Sequence, residues 1–490
     1  MNFKVLCLLL HLGMDNLKEK TAKGLFWGAL NNGSTQVLNL LFGICLGQLL
    51  SPPEYGIVGV LTIFTAVAGC LQASGFTQGL INMKSPTAND YNSVFWFNIS
   101  ASIVLYGTLF LCAPLIAHIF KQPCLVEVSR VVFLSLPLSA VGIVYNAYLI
   151  KNMMNREIAI LAFWALSLSG VCGILMAYLE FSYWSLVCQQ LVYIIVLNIG
   201  RLYYVKWRPS LHIDFGPVRR MFNFCVKLLI TNIINTLNQH LLTFFFGNKF
   251  TIQTVGNYSQ ANKWNGMAHS TISNTIGQIV QPVLVSVSEE RDRKLHVFRK
   301  LLRFTAFLSF PAMFGLALVA KEFILLTIGE KWADCVVLLQ ILCISGAFFP
   351  LHVLYHNMVI AQGKSNYYLW CNVAQIIAQV ATFFLLYKQG IITVVSAYSA
   401  LNVIWLFVWQ VIAGRMIGLR LFGMLSDIVP FMLIALLVML ATYFVTSTIE
   451  SLVLTLLLRI VIAVLLYALV MKLSHAKIMD ECIMFLRRKG

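Results

Sequence analysis

The sequence predicts an all-α protein that crosses a membrane about fourteen times. Of its 490 residues, 59% are hydrophobic and 11% are charged, whereas about 25% of the residues in a soluble domain are charged. The apolar residues form continuous runs of roughly twenty residues, which is the length that an α-helix needs to cross the hydrocarbon core. Lysine and arginine also alternate between enriched and depleted loops, as expected when successive loops lie on opposite faces of a membrane.

The composition excludes several other classes of protein. A soluble fold with a mean hydropathy of +0.82 would expose its excess apolar surface as aggregation-prone patches. A membrane β-barrel would show alternating segments of about ten residues. The net charge of +17 comes from basic residues in short loops, so we expect no nucleic-acid partner.

Fourteen apolar segments can be placed along the chain. They cover residues 25–49, 56–81, 93–118, 128–150, 158–178, 183–204, 221–246, 256–287, 301–320, 335–361, 367–387, 390–413, 429–447 and 451–471. The outer loops then receive only Lys121, Lys249, Lys321, Lys331 and Lys388, and all other basic loops face inward. The positive-inside rule therefore predicts that both termini are cytoplasmic.

A weak internal repeat divides the chain into two lobes. A shift of about two hundred residues overlays Leu50-Ser-Pro-Pro-Glu-Tyr-Gly56 on Phe250-Thr-Ile-Gln-Thr-Val-Gly256. Because each lobe would hold six helices, both would have the same orientation, related by a pseudo-two-fold axis along the membrane normal. The predicted segments are a cytoplasmic N-terminal segment (1–24), an N-lobe (25–204), a cytoplasmic linker (205–220), a C-lobe (221–413), a cytoplasmic loop (414–428), two additional helices (429–471) and a basic cytoplasmic tail (472–490).

The first thirteen residues hold a short apolar run that is too short to cross a membrane. We expect translation to begin at Met14, with a disordered tail as the alternative. The chain lacks GxxxxGK[ST], GxSxG and HExxH motifs. The loops are also too short for an inserted catalytic domain. We therefore expect no enzyme activity, no cofactor and no metal site.

Three helices carry more polar residues than lipid contact would favour. Span one contributes Asn31, Asn32, Gln36 and Asn39, and span seven contributes Lys227, Asn232, Asn235, Gln239 and His240. Span eight contributes Gln260, Asn262, Lys263 and Asn274. Repeat-related polar stripes predict the walls of a hydrated, substrate-binding cavity, although the same residue types also join helices together.

The ionisable residues of the spans indicate the charge of the cargo. Lys263 lies inside span eight, where desolvating a charge is costly and favours a functional role. Lys227 lies nearer the inner end of span seven and can instead extend to the interface. Carboxylates are nearly absent from the predicted spans, since Glu54, Glu180 and Glu450 lie at outer ends and Asp334 begins span ten. This pattern favours an anion, and the amides and hydroxyls suit sugars.

Three stretches resemble Wzx-like polysaccharide flippases of the multidrug/oligosaccharidyl-lipid/polysaccharide exporter superfamily. They are Lys20–Gly28 leading to Leu50–Gly56, Trp207-Arg-Pro209 before the polar seventh span, and Val255–Ala261 ending in Gln281–Ser286. The resemblance covers residues 14–475. It implies two six-helix lobes around a central cavity and alternating access. One departure is that cavity arginines are frequent in such flippases, whereas the clearest embedded cations here are lysines.

The resemblance also implies a cargo and a setting. The cargo would be undecaprenyl-pyrophosphate-linked oligosaccharide, carried from the inner to the outer leaflet of the bacterial inner membrane for O-antigen, capsule or exopolysaccharide synthesis. Expected partners are the lipid-linked oligosaccharide, membrane lipid, and a polysaccharide polymerase with its chain-length machinery, and we expect a monomer.

Three alternatives make different demands on the sequence. A cation-coupled multidrug or metabolite exporter of the same superfamily would need acidic residues in the N-lobe. An O-antigen polymerase or ligase would need a large outer loop. A scaffolding protein would leave the polar stripes unexplained.

Overall fold

A computed structural model describes residues 15–73, 75–83, 85–211, 214–286 and 291–474. The predicted start at Met14 and residues 475–490 of the predicted tail lie outside these ranges. The described residues form α-helices joined by short loops, with two 3₁₀ turns at Glu330–Trp332 and Tyr387–Gln389. The α-helices are α1 (Asp15–Leu49), α2 (Pro52–Ala73), α3 (Phe76–Asn82), α4 (Ala88–Phe120), α5 (Leu125–Val132), α6 (Ser135–Lys151), α7 (Asn155–Tyr178), α8 (Trp184–Tyr204), α9 (Gly216–Lys249), α10 (Ile252–Ser286), α11 (Arg291–Thr327), α12 (Ala333–Gly346), α13 (Phe349–Ala361), α14 (Ser365–Leu386), α15 (Ile391–Ile417), α16 (Leu421–Thr446) and α17 (Leu452–Leu473).

The helices have the lengths and surfaces of a multi-pass membrane protein. Among the described residues, 11 segments are long and apolar enough to cross a membrane. The remaining long helices α1, α9 and α10 have 35, 34 and 35 residues and are the three in which the sequence showed polar stripes. Together they are consistent with the predicted fourteen spans. Large apolar side chains such as Leu111 (79% exposed) and Leu385 (77% exposed) cover the outside, as a lipid-facing surface requires.

Three of the predicted spans are each divided into two helices. Span two consists of α2 and α3, span four of α5 and α6, and span ten of α12 and α13. Pro137 and Pro350 lie in the first turns of α6 and α13, where the missing backbone N–H costs no hydrogen bond. The same break therefore occurs in the fourth span of each predicted lobe, which adds to the internal repeat.

The chain forms two compact units, Met1–Gly256 and Asn257–Gly490. The first unit includes α9, because this helix packs against α2 and α4. Thr236 Oγ1 lies 2.9 Å from Cys70 Sγ, and the Phe244 ring packs edge-on against Phe64 and Phe120. The sequence analysis assigned α9 to the C-lobe on the basis of the repeat, and that lobe boundary stays a prediction.

The segment after α8 packs against the start of α4. Trp207 packs its ring against Tyr91, Phe95 and Tyr145, with centroid distances of 6.0, 5.8 and 5.5 Å. The Trp96 Nε1–H donates to the Ser210 carbonyl at 2.7 Å. The Trp207-Arg-Pro209 motif therefore has a packing role: it holds the beginning of the linker on the first unit.

The two repeat-related turns meet in the first unit. A Cβ atom at Gly56 would overlap the carbonyl oxygen of Ile252, and a Cβ atom at Gly256 would overlap the carbonyl oxygen of Pro52. Pro52 and Ile252 are the first residues of α2 and α10. The contact is thus reciprocal: the fifth residue of each helix touches the first residue of the other. Only glycine permits such close backbone approach.

In the second unit, complementary charges attach the C-terminal hairpin of α16 and α17 to α11. Arg299 of α11 makes a bidentate ion pair with Asp427 of α16, in which Nε donates to Oδ2 at 2.6 Å and Nη2 donates to Oδ1 at 3.0 Å. Arg459 Nη1 of α17 lies 2.8 Å from Glu322 Oε2 of α11, while its N–H groups donate to the Leu318 carbonyl and Thr446 Oγ1. The second pair is almost completely buried, with side-chain exposures of 8% and 5%.

The helices extend beyond the predicted spans at three places. Residues 291–300 lie between predicted spans eight and nine, whereas α11 begins at Arg291. Asp427 falls within the predicted loop 414–428 and Glu322 beyond the end of predicted span nine, but both are buried in helices. The spans therefore hold more carboxylate than predicted. Both of these carboxylates are neutralised by arginine, so neither adds net negative charge to the helices.

The buried Arg459–Glu322 pair gives a stability prediction. Glu322→Gln leaves the Arg459 guanidinium buried without its counter-charge, which we expect to lower the free energy of unfolding by about 3–5 kcal/mol. The midpoint of thermal unfolding in detergent measures this loss, and Glu330→Gln, at an exposed position of the neighbouring turn, is the matched control. The double variant Glu322→Leu/Arg459→Met removes both charges and should recover most of the loss. Equal midpoints for Glu322→Gln and Glu330→Gln would contradict the proposed importance of the pair.

Candidate functional site

A cavity of about 360 Å³ lies inside the first unit. Four helices contribute to its wall: α2, α6, α8 and α9. Its polar side chains are Thr62, Thr65, Ser135, Ser139, Gln190 and His240, and its apolar walls include Leu136, Ile143 and Ile194. Its size falls within the range of about 300–1,000 Å³ that is typical of small-molecule sites.

The cavity presents hydrogen-bonding groups that the protein itself does not use. Among the described residues, the hydroxyls of Ser135 and Ser139, the amide of Gln190 and the imidazole of His240 have no hydrogen-bond partner. Thr62 and Thr65 donate to carbonyls of their own helix, so their oxygens can still accept. The lining therefore offers both donors and acceptors.

Helical spacing brings these side chains together. Thr62, Thr65, Ala66 and Gly69 follow the three-to-four-residue rhythm of one face of α2. Ser135 and Ser139 are one turn apart on α6, which begins anew at Ser135 after the break in span four. The break thus aligns a short polar face with the cavity, whereas Gln190 and His240 project from single positions on α8 and α9.

The sequence analysis predicted one residue of this cavity, His240. The other candidates of the first unit lie elsewhere on α1 and α9. Asn31, Gln36, Asn39, Asn232 and Asn235 are half-buried, and Asn32 and Gln239 are exposed. The side chain of Lys227 lies outside the described residues. The predicted stripes on α1 and α9 are therefore present as helical faces, but the cavity, which is open to the surface, is built mainly by α2, α6 and α8. The role of the polar faces of α1 and α9 in substrate binding stays a prediction.

The candidates on α10 belong to the second unit. Lys263 is half-buried, with Nζ 5.4 Å from the centroid of the Trp264 ring. Gln260 is fully buried, and neither its amide oxygen nor its amide nitrogen has a hydrogen-bond partner among the described residues. Asn262 is half-buried and Asn274 is exposed. Buried amides without hydrogen-bond partners are costly. The Gln260 amide therefore marks a position on α10 where a polar ligand group would be stabilising.

Sequence reasoning missed the serines and threonines of the cavity because such residues are common in membrane helices. Ser135 and Ser139 are four residues apart and flank Pro137. This spacing places both hydroxyls on one face of the helix, and it could have indicated a polar site. In the part of the chain that the structure describes, no group of three or more His, Cys, Asp or Glu side chains could hold a metal ion.

The fold is that of a known class of membrane transporters. The structure of lipid II flippase MurJ in an inward closed conformation matches with a TM-score of 0.73 at 12% identity, over 91% of this chain and 99% of that one. An inward-facing multidrug-resistance transporter of the MATE family, in the MOP superfamily, matches with a TM-score of 0.62 at 16% identity, over 78% of this chain and 94% of that one. The predicted all-α polytopic fold is confirmed.

Sequence comparison then defines the family. The chain belongs to the family described as polysaccharide biosynthesis protein, whose sequence model matches residues 45–337. It is 24% identical to lipopolysaccharide biosynthesis protein WzxC of Escherichia coli K12, over 68% of each chain. It is 21% identical to teichuronic acid biosynthesis protein TuaB of Bacillus subtilis, over 86% of this chain and 88% of that one. An uncharacterized membrane protein of the Klebsiella pneumoniae cps region is 24% identical, over 74% and 75%. The predicted Wzx-like resemblance is confirmed.

Proposed function

We propose that this protein flips lipid-linked oligosaccharide across the bacterial inner membrane for surface polysaccharide synthesis. The observation that carries the proposal is the uncharged, hydrogen-bonding cavity in a chain of the polysaccharide biosynthesis family. WzxC is named for lipopolysaccharide biosynthesis and TuaB for teichuronic acid biosynthesis, and MurJ is named as a lipid II flippase. Transfer of these roles to this chain gives undecaprenyl-pyrophosphate-linked repeat units as the cargo.

The charges of the helices support this cargo over an organic cation. No residue that lines the cavity of the first unit is a carboxylate. Asp427 and Glu322 are already paired with arginine. A cation-coupled exporter would need a membrane-embedded carboxylate available for its ion, so the lining disfavours that alternative.

The reciprocal glycine contact supports alternating access. Gly56 and Gly256 allow α2 and α10 to meet at their first turns, which lie at the predicted outer end. A carrier must separate and rejoin its helices at each face during a cycle. We propose that this contact closes the outer side while cargo enters from the cytoplasm, with both termini cytoplasmic.

The proposed function has a direct genetic test. Deletion of the gene in its host should abolish surface polysaccharide and leave lipid-linked repeat units accumulated on the cytoplasmic leaflet. Surface polysaccharide is measured by gel analysis and the lipid-linked units by mass spectrometry of extracted lipid, with the restored gene as the control. Normal surface polysaccharide together with altered drug resistance would instead favour the multidrug exporter.

Lys263 is the proposed contact for the negatively charged diphosphate. We expect Lys263→Ala to reduce transport about ten-fold or more, since a hydrogen bond to a charged group contributes about 1.5–3 kcal/mol. Lys263→Arg should retain most activity. Restoration of surface polysaccharide in the deletion strain measures transport, at matched protein levels in the membrane. Lys388→Ala, at an exposed loop lysine, is the control, and full transport by Lys263→Ala would remove Lys263 from the site.

The glycine contact makes a steric prediction. Gly56→Ala or Gly256→Ala should reduce transport about five- to hundred-fold, because overpacking costs about 1–3 kcal/mol and opposes closure of the outer side. Gly107→Ala is the matched control, since a Cβ atom there meets nothing within 4 Å. The same complementation assay measures all three variants. Unchanged transport in both contact variants would refute a role for this contact in the cycle.

A further inference from the structure

We propose that the cavity of the first unit is a subsite for a single uncharged sugar ring of the cargo rather than for its diphosphate. This inference rests on the proposed function and specifies which part of the cargo the cavity accepts. It concerns the cavity between α2, α6, α8 and α9, whose lining includes His240 but none of the other sequence-predicted candidates.

The lining of the cavity has the hydrogen-bonding groups that a sugar requires. A sugar hydroxyl both donates and accepts a hydrogen bond, so it is best satisfied by groups that do the same. Ser135, Ser139, Gln190 and His240 supply donors and acceptors that have no partner among the described residues. The apolar walls at Leu136, Ile143 and Ile194 suit the C–H faces of a pyranose ring.

The cavity offers no charge that could compensate an anion. The residues that line the cavity include no lysine, arginine, aspartate or glutamate. A diphosphate or a uronic acid carboxylate would therefore lose its hydration in this cavity without gaining a fixed counter-charge, which is costly. The cavity should exclude the anionic part of the cargo and favour a neutral ring.

The cavity also has a size that suits a sugar ring. At about 360 Å³, it is near the lower limit of the roughly 300–1,000 Å³ found for small-molecule sites. One sugar ring fits such a volume. Because the cavity is open to the surface, the remaining sugars of the cargo can extend out of it.

The experiment compares binding of three lipids to the purified full-length protein in nanodiscs by native mass spectrometry. The lipids are undecaprenyl diphosphate alone, the same lipid carrying one neutral hexose, and the same lipid carrying one hexuronic acid. Wild-type protein should bind the neutral-hexose lipid most tightly. Ser139→Ala and Gln190→Leu should each weaken binding of that lipid about three- to ten-fold, the effect of one lost hydrogen bond, and should leave binding of the sugar-free lipid unchanged.

Both substitutions remove groups without a protein partner, so they leave no other group unsatisfied in the fold. Thr108→Val is the matched control, because Thr108 is an exposed residue of α4 in the same unit whose hydroxyl donates only to the Val104 carbonyl. Unchanged affinity for the neutral-hexose lipid in both cavity variants overturns the subsite and leaves the flippase proposal intact. Equal binding of all three lipids by wild-type protein also overturns the subsite. Normal surface polysaccharide in the deletion strain overturns the proposed function itself.

Discussion

The lack of hydrogen-bond partners in lipid is the constraint on which this structure depends. It requires every backbone group in the membrane to be satisfied within a helix. It also leaves each polar side chain with few options. Tyr467 donates to the carbonyl of Phe307 on another helix, Arg459 pairs with Glu322, and Ser139 opens onto a cavity. The position of polar groups therefore decides which helices pack together and where a ligand can enter.

Two kinds of contact organise the helices under this constraint. Glycines such as Gly56 and Gly256 allow backbones to approach closely, which increases dispersion contacts where no hydrophobic effect acts between helices. Charges such as Arg299 and Arg303 of α11, which both pair with the buried Asp427 of α16, join longer helices, because a buried charge requires a partner of opposite sign. The glycine contacts join the repeat-related helices α2 and α10, and the ion pairs attach the additional C-terminal hairpin of α16 and α17.

The sequence predicted the spans well because hydropathy and loop charge are summed over many residues. Single residues at helix ends were less predictable. Glu322 and Asp427 fall outside the predicted spans, and the partners Arg459 and Arg299 make the burial of these carboxylates possible. The cavity was predictable only at His240. Its remaining polar groups come from three helices that are distant in sequence, so no local sequence pattern could show that they lie together.

The buried pair of α11 and α17 also bears on biogenesis. Glu322 precedes Arg459 by roughly 140 residues, which at about 5–20 residues per second takes on the order of ten seconds to synthesise. During that interval α11 has no arginine from α17 to neutralise its carboxylate. Since a lone charge in lipid is costly, the C-terminal part of α11 gains its full stability in the membrane only after α17 has inserted. Insertion of α17 thereby becomes a condition for the second unit to reach its mature packing.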